Sequence, residues 1–150
     1  MQRIGPRACA ALLALTLLLV ARPAPAETLV GAGSTGSATW TPAGSPYTVQ
    51  EHPKFTRLTI EAGTTVVVDS ASIDVEDLII NGTAERPVDI HGAAPSAPNQ
   101  SSWGNVYVTR SAMVSGAIIR NANRAIWLNG AGVKATIRAS RFDNNLLIQA

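Results

Sequence analysis

Five basic and aromatic residues in the second half of the chain have the types and spacing of a binding surface for an anionic sugar polymer. They are Tyr107, Arg110, Arg120, Arg124 and Trp127. An arginine guanidinium binds a carboxylate through paired hydrogen bonds, and an indole ring packs well against the apolar face of a sugar. The alternative is a solvated β surface whose arginines only deter pairing with other strand edges. The first interpretation predicts binding of an acidic polysaccharide at these five residues.

The densest group of carboxylates is formed by Asp69, Asp74, Glu76 and Asp77. Such a group could hold calcium, which is bound by several carboxylate and carbonyl oxygens. Asp74 and Glu76, however, flank Val75 in a short alternating segment, so both are expected on the outward side of a strand. We therefore interpret the group as a solvated face, and we predict no metal site and no cofactor.

Acids suited to catalysis are scarce in the basic half of the chain. Asp143 is the sole acidic residue after position 102. Glycoside hydrolysis uses two carboxyl groups on opposite sides of the scissile bond, and this half cannot supply them. We therefore assign no catalytic residue to the chain.

Charge is divided unevenly along the sequence. Residues 27–102 hold three basic and nine acidic side chains, whereas residues 103–150 hold six basic and one acidic. Without residues 1–26 the chain has nine basic and ten acidic residues, a net charge of −1. A net charge so close to zero argues against nucleic acid as the partner, because phosphate contacts need an excess of basic residues.

The N-terminal segment, residues 1–26, has the order of a secretory signal peptide. Arg3 and Arg7 precede an apolar run over residues 8–20, and a small-residue site ends at Ala26. This order predicts cleavage and a secreted, periplasmic or cell-surface location, with an uncleaved anchor as the alternative. The apolar run is short for a membrane span, and we predict no integral membrane segment after cleavage. Cys9, the single cysteine, would be removed with the signal.

The remaining sequence predicts an all-β domain. Residues 46–150 contain runs of three to five residues with β-branched enrichment and strict alternation, separated by Gly, Asn and Pro turns. No segment of ten or more residues keeps helical spacing. Residues 27–45 are rich in Gly, Ser, Thr and Ala without periodicity, and we interpret them as a flexible lead-in.

The strands repeat along the chain at similar spacings. AIIRNA (117–122) and SRFDNN (140–145) superpose with an offset of 23, which places Ile119 on Phe142 and Asn121 on Asn144. A period of this length is typical of a solenoid, in which each repeat buries its apolar face on its neighbours. The same offset predicts an exposed ion pair between Arg120 and Asp143, worth at most about 1 kcal/mol.

Two further sets of apolar residues repeat along the chain, and each set is expected to form a column of side chains stacked from coil to coil. Leu58 and Ile60 are expected to recur one coil later as Leu78 and Ile80. The second column is longer, and its expected members are Val66 with Val68, Val88 with Ile90, and Val106 with Val108. These columns predict about five stacked coils. Residues 146–150 are similar to the start of another strand, so we expect a truncated piece of a longer protein, with an open end that pairs with another chain as the alternative.

Five segments together resemble the opening coils of secreted bacterial right-handed parallel β-helix proteins of the pectin-lyase-like superfamily. They are SPYTV (45–49), LTIEAGT (58–64), LIINGTAERPV (78–88), SWGN (102–105) and SRFDNN (140–145). The resemblance covers residues 45–150 and implies three short parallel strands per coil, with aliphatic, aromatic and asparagine ladders inside.

The resemblance also defines two functional hypotheses. Enzymes of this superfamily are polysaccharide lyases and glycoside hydrolases, but their closely spaced aspartates and Gly-His-Gly segment do not occur in this sequence. The first hypothesis is therefore a non-catalytic secreted scaffold that binds an acidic polysaccharide. The second is the N-terminal part of a polysaccharide lyase or glycoside hydrolase, with its catalytic residues beyond Ala150.

Overall fold

The computed structural model describes residues 27–94, 97–98 and 100–149, and within these residues the regular structure consists of strands and one short 3-10 helix. The 3-10 helix spans Pro42–Gly44. The strands are β1 (Thr28–Val30), β2 (Thr35–Trp40), β3 (Tyr47–Val49), β4 (Lys54–Glu61), β5 (Thr65–Val68), β6 (Ile73–Asn81), β7 (Val88–Gly92), β8 (Trp103–Ser115), β9 (Ala117–Arg120), β10 (Ala122–Leu128), β11 (Lys134–Arg138), β12 (Arg141–Asp143) and β13 (Leu147–Gln149). Across these described residues, no helix is long and apolar enough to cross a membrane.

The strands form two parallel sheets, and the chain passes from one sheet to the other in every coil. The six-stranded sheet has the order β1-β3-β5-β7-β9-β12, and the seven-stranded sheet has the order β13-β10-β8-β6-β4-β2, with β11 paired to the second part of β8. Each strand inside a sheet therefore pairs with the strand one coil earlier and one coil later. The fold is a right-handed parallel β-helix of about six turns, which confirms the predicted class.

Alternation along the strands builds the core. In β4 and β6 the inward side chains Leu58 and Ile60 lie in register with Leu78 and Ile80, as predicted, and all four are at most 1% exposed. Burial of side chains of this size stabilises the fold by about 1.5–3 kcal/mol each relative to exposure. In β4 and β6, the alternation therefore determines which face of the strand is buried.

The second predicted column is wrong in its register. Val66 pairs with Ile90 rather than with Val88. Val106 lies in the other sheet, where its partner in the preceding coil is Ile73. The physical reason is that the turns between strands differ in length, so equal spacing in sequence does not mean the same position in the coil.

The predicted flexible lead-in over residues 27–45 is also corrected. This segment contains β1 and β2, which pair with β3 and β4 and form the first coil. Trp40 is 4% exposed, stacks on Tyr47 with ring centroids 4.9 Å apart, and contacts Phe55 edge to face at 5.8 Å. One buried aromatic cluster thus orders a segment whose Gly- and Ser-rich composition suggested a linker.

Asparagine side chains connect the last two coils, and the predicted superposition of residues 117–122 on residues 140–145 is confirmed there. Ile119 pairs with Phe142, and Asn144 Nδ2 donates a hydrogen bond to Asn121 Oδ1 at 2.9 Å. Both asparagines have positive φ, 63° for Asn121 and 49° for Asn144, a conformation that asparagine tolerates better than most residues. The amide ladder therefore lies at the bend between the sheets.

Asn145 offers a test of this ladder. Its Oδ1 accepts the N–H of Ala122 and its Nδ2 donates to the carbonyl of Ile119, both at 2.9 Å. We expect Asn145→Ala to lower the free energy of unfolding by about 2 kcal/mol, because two partly buried backbone groups lose their partners. Urea denaturation measures this change. Asn123→Ala, at an exposed position in β10, is the control, and an equal loss in both variants would contradict the prediction.

Candidate functional site

A row of outward side chains crosses four coils on the seven-stranded sheet. Lys54 pairs in register with Asp74, Asp74 with Tyr107, and Tyr107 with Trp127. Alternation directs these side chains away from the core, because their strand neighbours Phe55, Val75 and Val108 are buried. Together with Arg124 on β10, these four side chains form what we call the ladder face.

The aromatic end of the ladder face has a defined geometry. The Cζ atom of Arg124 lies 4.3 Å from the centroid of the Trp127 ring, and Tyr107 meets the same indole edge to face at 5.0 Å. Asn129 donates a hydrogen bond from Nδ2 to the hydroxyl of Tyr107. Cation–π and aromatic contacts of this kind hold the rings in fixed orientations. The structure thus brings together three of the five residues predicted for binding: Tyr107, Arg124 and Trp127.

The other two predicted residues have different surroundings. Arg110 lies on β8, but its guanidinium binds Asp77, with Nε 2.8 Å from Oδ1, and contacts Glu76 at 3.5 Å. Arg120 ends β9 in the six-stranded sheet and forms an ion pair with Asp89 at 2.5 Å. The turn that follows Arg120 separates it from Arg124, so the two arginines belong to different sheets.

The expected ion pair between Arg120 and Asp143 is absent from the described residues. The two residues are register partners on β9 and β12, as the repeat predicts. Arg120 instead binds Asp89 of the preceding coil, and Asp143 binds Arg141 on its own strand at 2.6 Å. Register alone therefore did not determine the partner of either charge.

The interpretation of Asp77 as part of a solvated face is wrong, because this carboxylate of β6 is buried among hydrogen-bond donors. Asp77 is 7% exposed and accepts hydrogen bonds from Arg110, from Ser111 Oγ at 2.8 Å and from Arg57 at 3.2 Å. The hydrogen bonds from Arg110 and then Ser111 hold the pKa of Asp77 well below its usual range, against the opposing effect of burial. Asp77 in turn raises the pKa of Arg110.

Two other acidic residues of the predicted solvated group, Asp74 and Glu76, lie on or beside the ladder face. Asp74 and Glu76 border a groove of about 270 Å³, together with Lys54, Tyr107 and Thr109. Glu76 is exposed, and Asp74 is half-buried. In the part of the chain that the structure describes, no group of three or more His, Cys, Asp or Glu side chains is arranged to hold a metal ion.

Comparison of the chain with family models, with curated proteins and with solved structures finds no match. The class that the structure defines is the right-handed parallel β-helix with a repeating, two-sheet coil. The ladder face of this chain combines two aromatic rings, one arginine without an acidic partner among the described residues, and an adjoining groove.

Proposed function

We propose that this protein is a non-catalytic, secreted β-helix scaffold that binds an acidic polysaccharide on its ladder face. The observation that carries the proposal is the position of Arg124 over Trp127, beside Tyr107. An arginine held against an indole presents a charged group for a carboxylate directly beside an apolar surface for a sugar ring.

The state of Arg124 supports this function. Among the described residues, no carboxylate lies within ion-pair distance of its guanidinium. Arg57 and Arg110, by contrast, bind Asp77. A guanidinium without an internal partner gains more from an external carboxylate than one that must first break an ion pair.

The carboxylates near the face support a binding role rather than hydrolysis. A general acid in a glycosidase needs a raised pKa, so that its carboxyl group is protonated near neutral pH. The pKa of Asp77 is lowered, which keeps this residue ionised. The resemblance to the pectin-lyase-like superfamily supports a polysaccharide as the ligand. The signal-like residues 1–26, which lie outside the described residues, support export.

Substitution of the aromatic end tests the proposal. We expect Trp127→Ala and Arg124→Ala each to weaken binding of uronate-containing polysaccharides about tenfold, the loss that truncation of one central contact residue produces. Affinity electrophoresis in gels that contain alginate, polygalacturonate or hyaluronan measures the change. Circular dichroism checks that each variant is folded.

Arg138→Ala is the matched control for charge. Arg138 is exposed on β11, away from the ladder face, so its loss changes net charge equally without touching Trp127. We expect this variant to bind as the wild type does. Equal weakening in Arg138→Ala and Arg124→Ala, or no retardation of the wild type in any gel, would reject binding at the ladder face.

A further inference from the structure

We propose that Asn129 is a site of spontaneous deamidation, at which a neutral amide beside the ladder face becomes a carboxylate. The chain contains two Asn-Gly pairs, Asn81–Gly82 and Asn129–Gly130. In this reaction the backbone nitrogen of the following residue attacks the asparagine side chain, and glycine leaves the most room for that attack because it has no Cβ. The sequence therefore contains two candidate sites, and the structure distinguishes between them.

The reaction has two steps, and water is its only co-reactant. The backbone N–H of Gly130 loses its proton to hydroxide, and the nitrogen forms a bond to Cγ of Asn129. The bond between Cγ and Nδ2 then breaks, and ammonia leaves. Water opens the resulting cyclic imide at either carbonyl, which yields an aspartate or an isoaspartate. In both products one side-chain amide has been replaced by one carboxylate.

The Asn129–Gly130 pair lies in an exposed turn. It directly follows β10, and residues 129–132 are all exposed. In the described part of the chain, the backbone N–H of Gly130 donates no hydrogen bond, although its carbonyl oxygen accepts one from Val133. An N–H group that is solvated and unbonded is accessible to hydroxide, as in amide hydrogen exchange. The attacking nitrogen can therefore form in the folded protein.

The Asn81–Gly82 pair is held in place by the neighbouring coils. Asn81 ends β6 and lies in register with Glu61 on one side and Ser115 on the other. Gly82 is buried, and its N–H donates a hydrogen bond to the carbonyl oxygen of Ser115 at 2.8 Å. The nitrogen that would attack Asn81 is thus shielded from hydroxide and fixed in position. This pair is expected to react only when the coil opens locally.

The side chain of Asn129 lies at the aromatic end of the ladder face. Its Nδ2 donates a hydrogen bond to the hydroxyl of Tyr107, which contacts Trp127 at 5.0 Å. A carboxylate at position 129 can only accept hydrogen bonds, so Tyr107 must become the donor. The new negative charge lies at the end of the face that holds Arg124, where it disfavours an anionic ligand. This consequence rests on the proposed function, whereas the modification itself does not.

Mass spectrometry of the folded protein tests the site. We expect Asn129 to deamidate at least about tenfold faster than Asn81 during incubation at mildly alkaline pH, because reaction at Asn81 waits for local opening. Trypsin releases residues 125–134 as a peptide in which Asn129 is the single asparagine, and fragment spectra locate the change in other peptides. Equal rates at the two asparagines, or faster reaction at Asn81, would overturn the proposal.

Unfolding provides the matched control, since the two pairs consist of the same two residues. In concentrated urea the rates at Asn81 and Asn129 should agree within about threefold, because the unfolded chain exposes both pairs. A tenfold difference that persists in urea would show that flanking sequence, rather than the fold, selects the site. Gly130→Ala should slow reaction at Asn129 at least about fivefold by crowding the nitrogen. An unchanged rate in this variant would contradict attack by the nitrogen of residue 130.

Asn129→Asp reproduces the charge of the product. We expect this variant to bind alginate about threefold more weakly than the wild type in affinity electrophoresis. Asn81→Asp adds the same charge at an exposed position outside the ladder face and should bind as the wild type does. Equal weakening in both variants would reject an effect on the face. If the wild type binds no uronate polymer, the proposed function fails, while the rates at Asn129 and Asn81 still decide whether the modification occurs.

Discussion

Gly116→Ala is expected to lower the free energy of unfolding by about 3 kcal/mol or more, because the substitution combines backbone strain with a steric clash. Gly116 has φ = 60°, where an L side chain is disfavoured. A Cβ built there would lie 2.3 Å from the carbonyl carbon of Gly82 and 2.4 Å from its oxygen. Gly82 cannot move away easily, since its N–H donates to the carbonyl oxygen of Ser115 at 2.8 Å.

Substitutions at two other glycines distinguish backbone strain from steric clash as causes of the lost stability. Gly132 has φ = 86° with no atom within 4 Å of an added Cβ, so Gly132→Ala should cost only the strain of about 1–2 kcal/mol. Gly33 has neither a positive φ nor a close neighbour, and Gly33→Ala should change stability by less than about 0.5 kcal/mol. Urea unfolding followed by tryptophan fluorescence gives the three values. A Gly116→Ala protein no less stable than Gly132→Ala would contradict the role of close coil packing.

The class of the fold was predictable because alternation is a local property. Val66 and Val68, like Leu58 and Ile60, are separated by one residue that points outward, and this spacing determines the buried face without knowledge of the turns. The confirmed pairing of Ile119 with Phe142 has the same basis, since the two segments that contain them repeat each other residue by residue. Closely similar repeats can therefore be aligned from sequence.

The register of the second column was not predictable, because turn length varies from coil to coil. The separation in sequence between partners is 20 residues for Leu58 and Leu78, 24 for Val66 and Ile90, and 33 for Ile73 and Val106. The last pair spans the long connection between β7 and β8. A constant period therefore places Val106 in the wrong sheet.

The candidate site was predictable in part. Tyr107 and Trp127 were both predicted as binding residues, and the structure places them in register on adjacent strands. The sequence did not indicate that Arg120 and Arg124 lie in different sheets, because the chain changes sheet at a single residue, Asn121, which has positive φ. The acidic partners of Arg110 were not predicted. The register of β4 with β6 could have indicated one of them, because it aligns Asp77 with the basic residue Arg57.

The second large effect is expected at Asp77. We expect Asp77→Asn to lower the free energy of unfolding at pH 7 by about 2 kcal/mol, because hydrogen bonds between charged groups are stronger than those to a neutral amide. The expected loss in the free energy of unfolding is no larger because the side chains of Arg57 and Arg110 are more than half exposed, and water screens their charges. Urea denaturation measures the change. Asp69→Asn, which removes an exposed carboxylate, should change stability by less than about 0.5 kcal/mol.

The pH dependence of stability tests whether the negative charge of Asp77 causes the stabilisation that Asp77→Asn removes. Its pKa is lowered in the folded state, mainly by Arg110, so the folded protein binds this proton less readily than the unfolded chain does. The stabilisation is fully present above the unfolded pKa of about 3.9 and is lost as pH falls below that value towards the lowered folded pKa. The wild type should therefore lose stability more steeply than Asp77→Asn as the pH falls below about 4. Parallel curves for the two proteins would show that packing, rather than ionisation, explains the effect of the substitution.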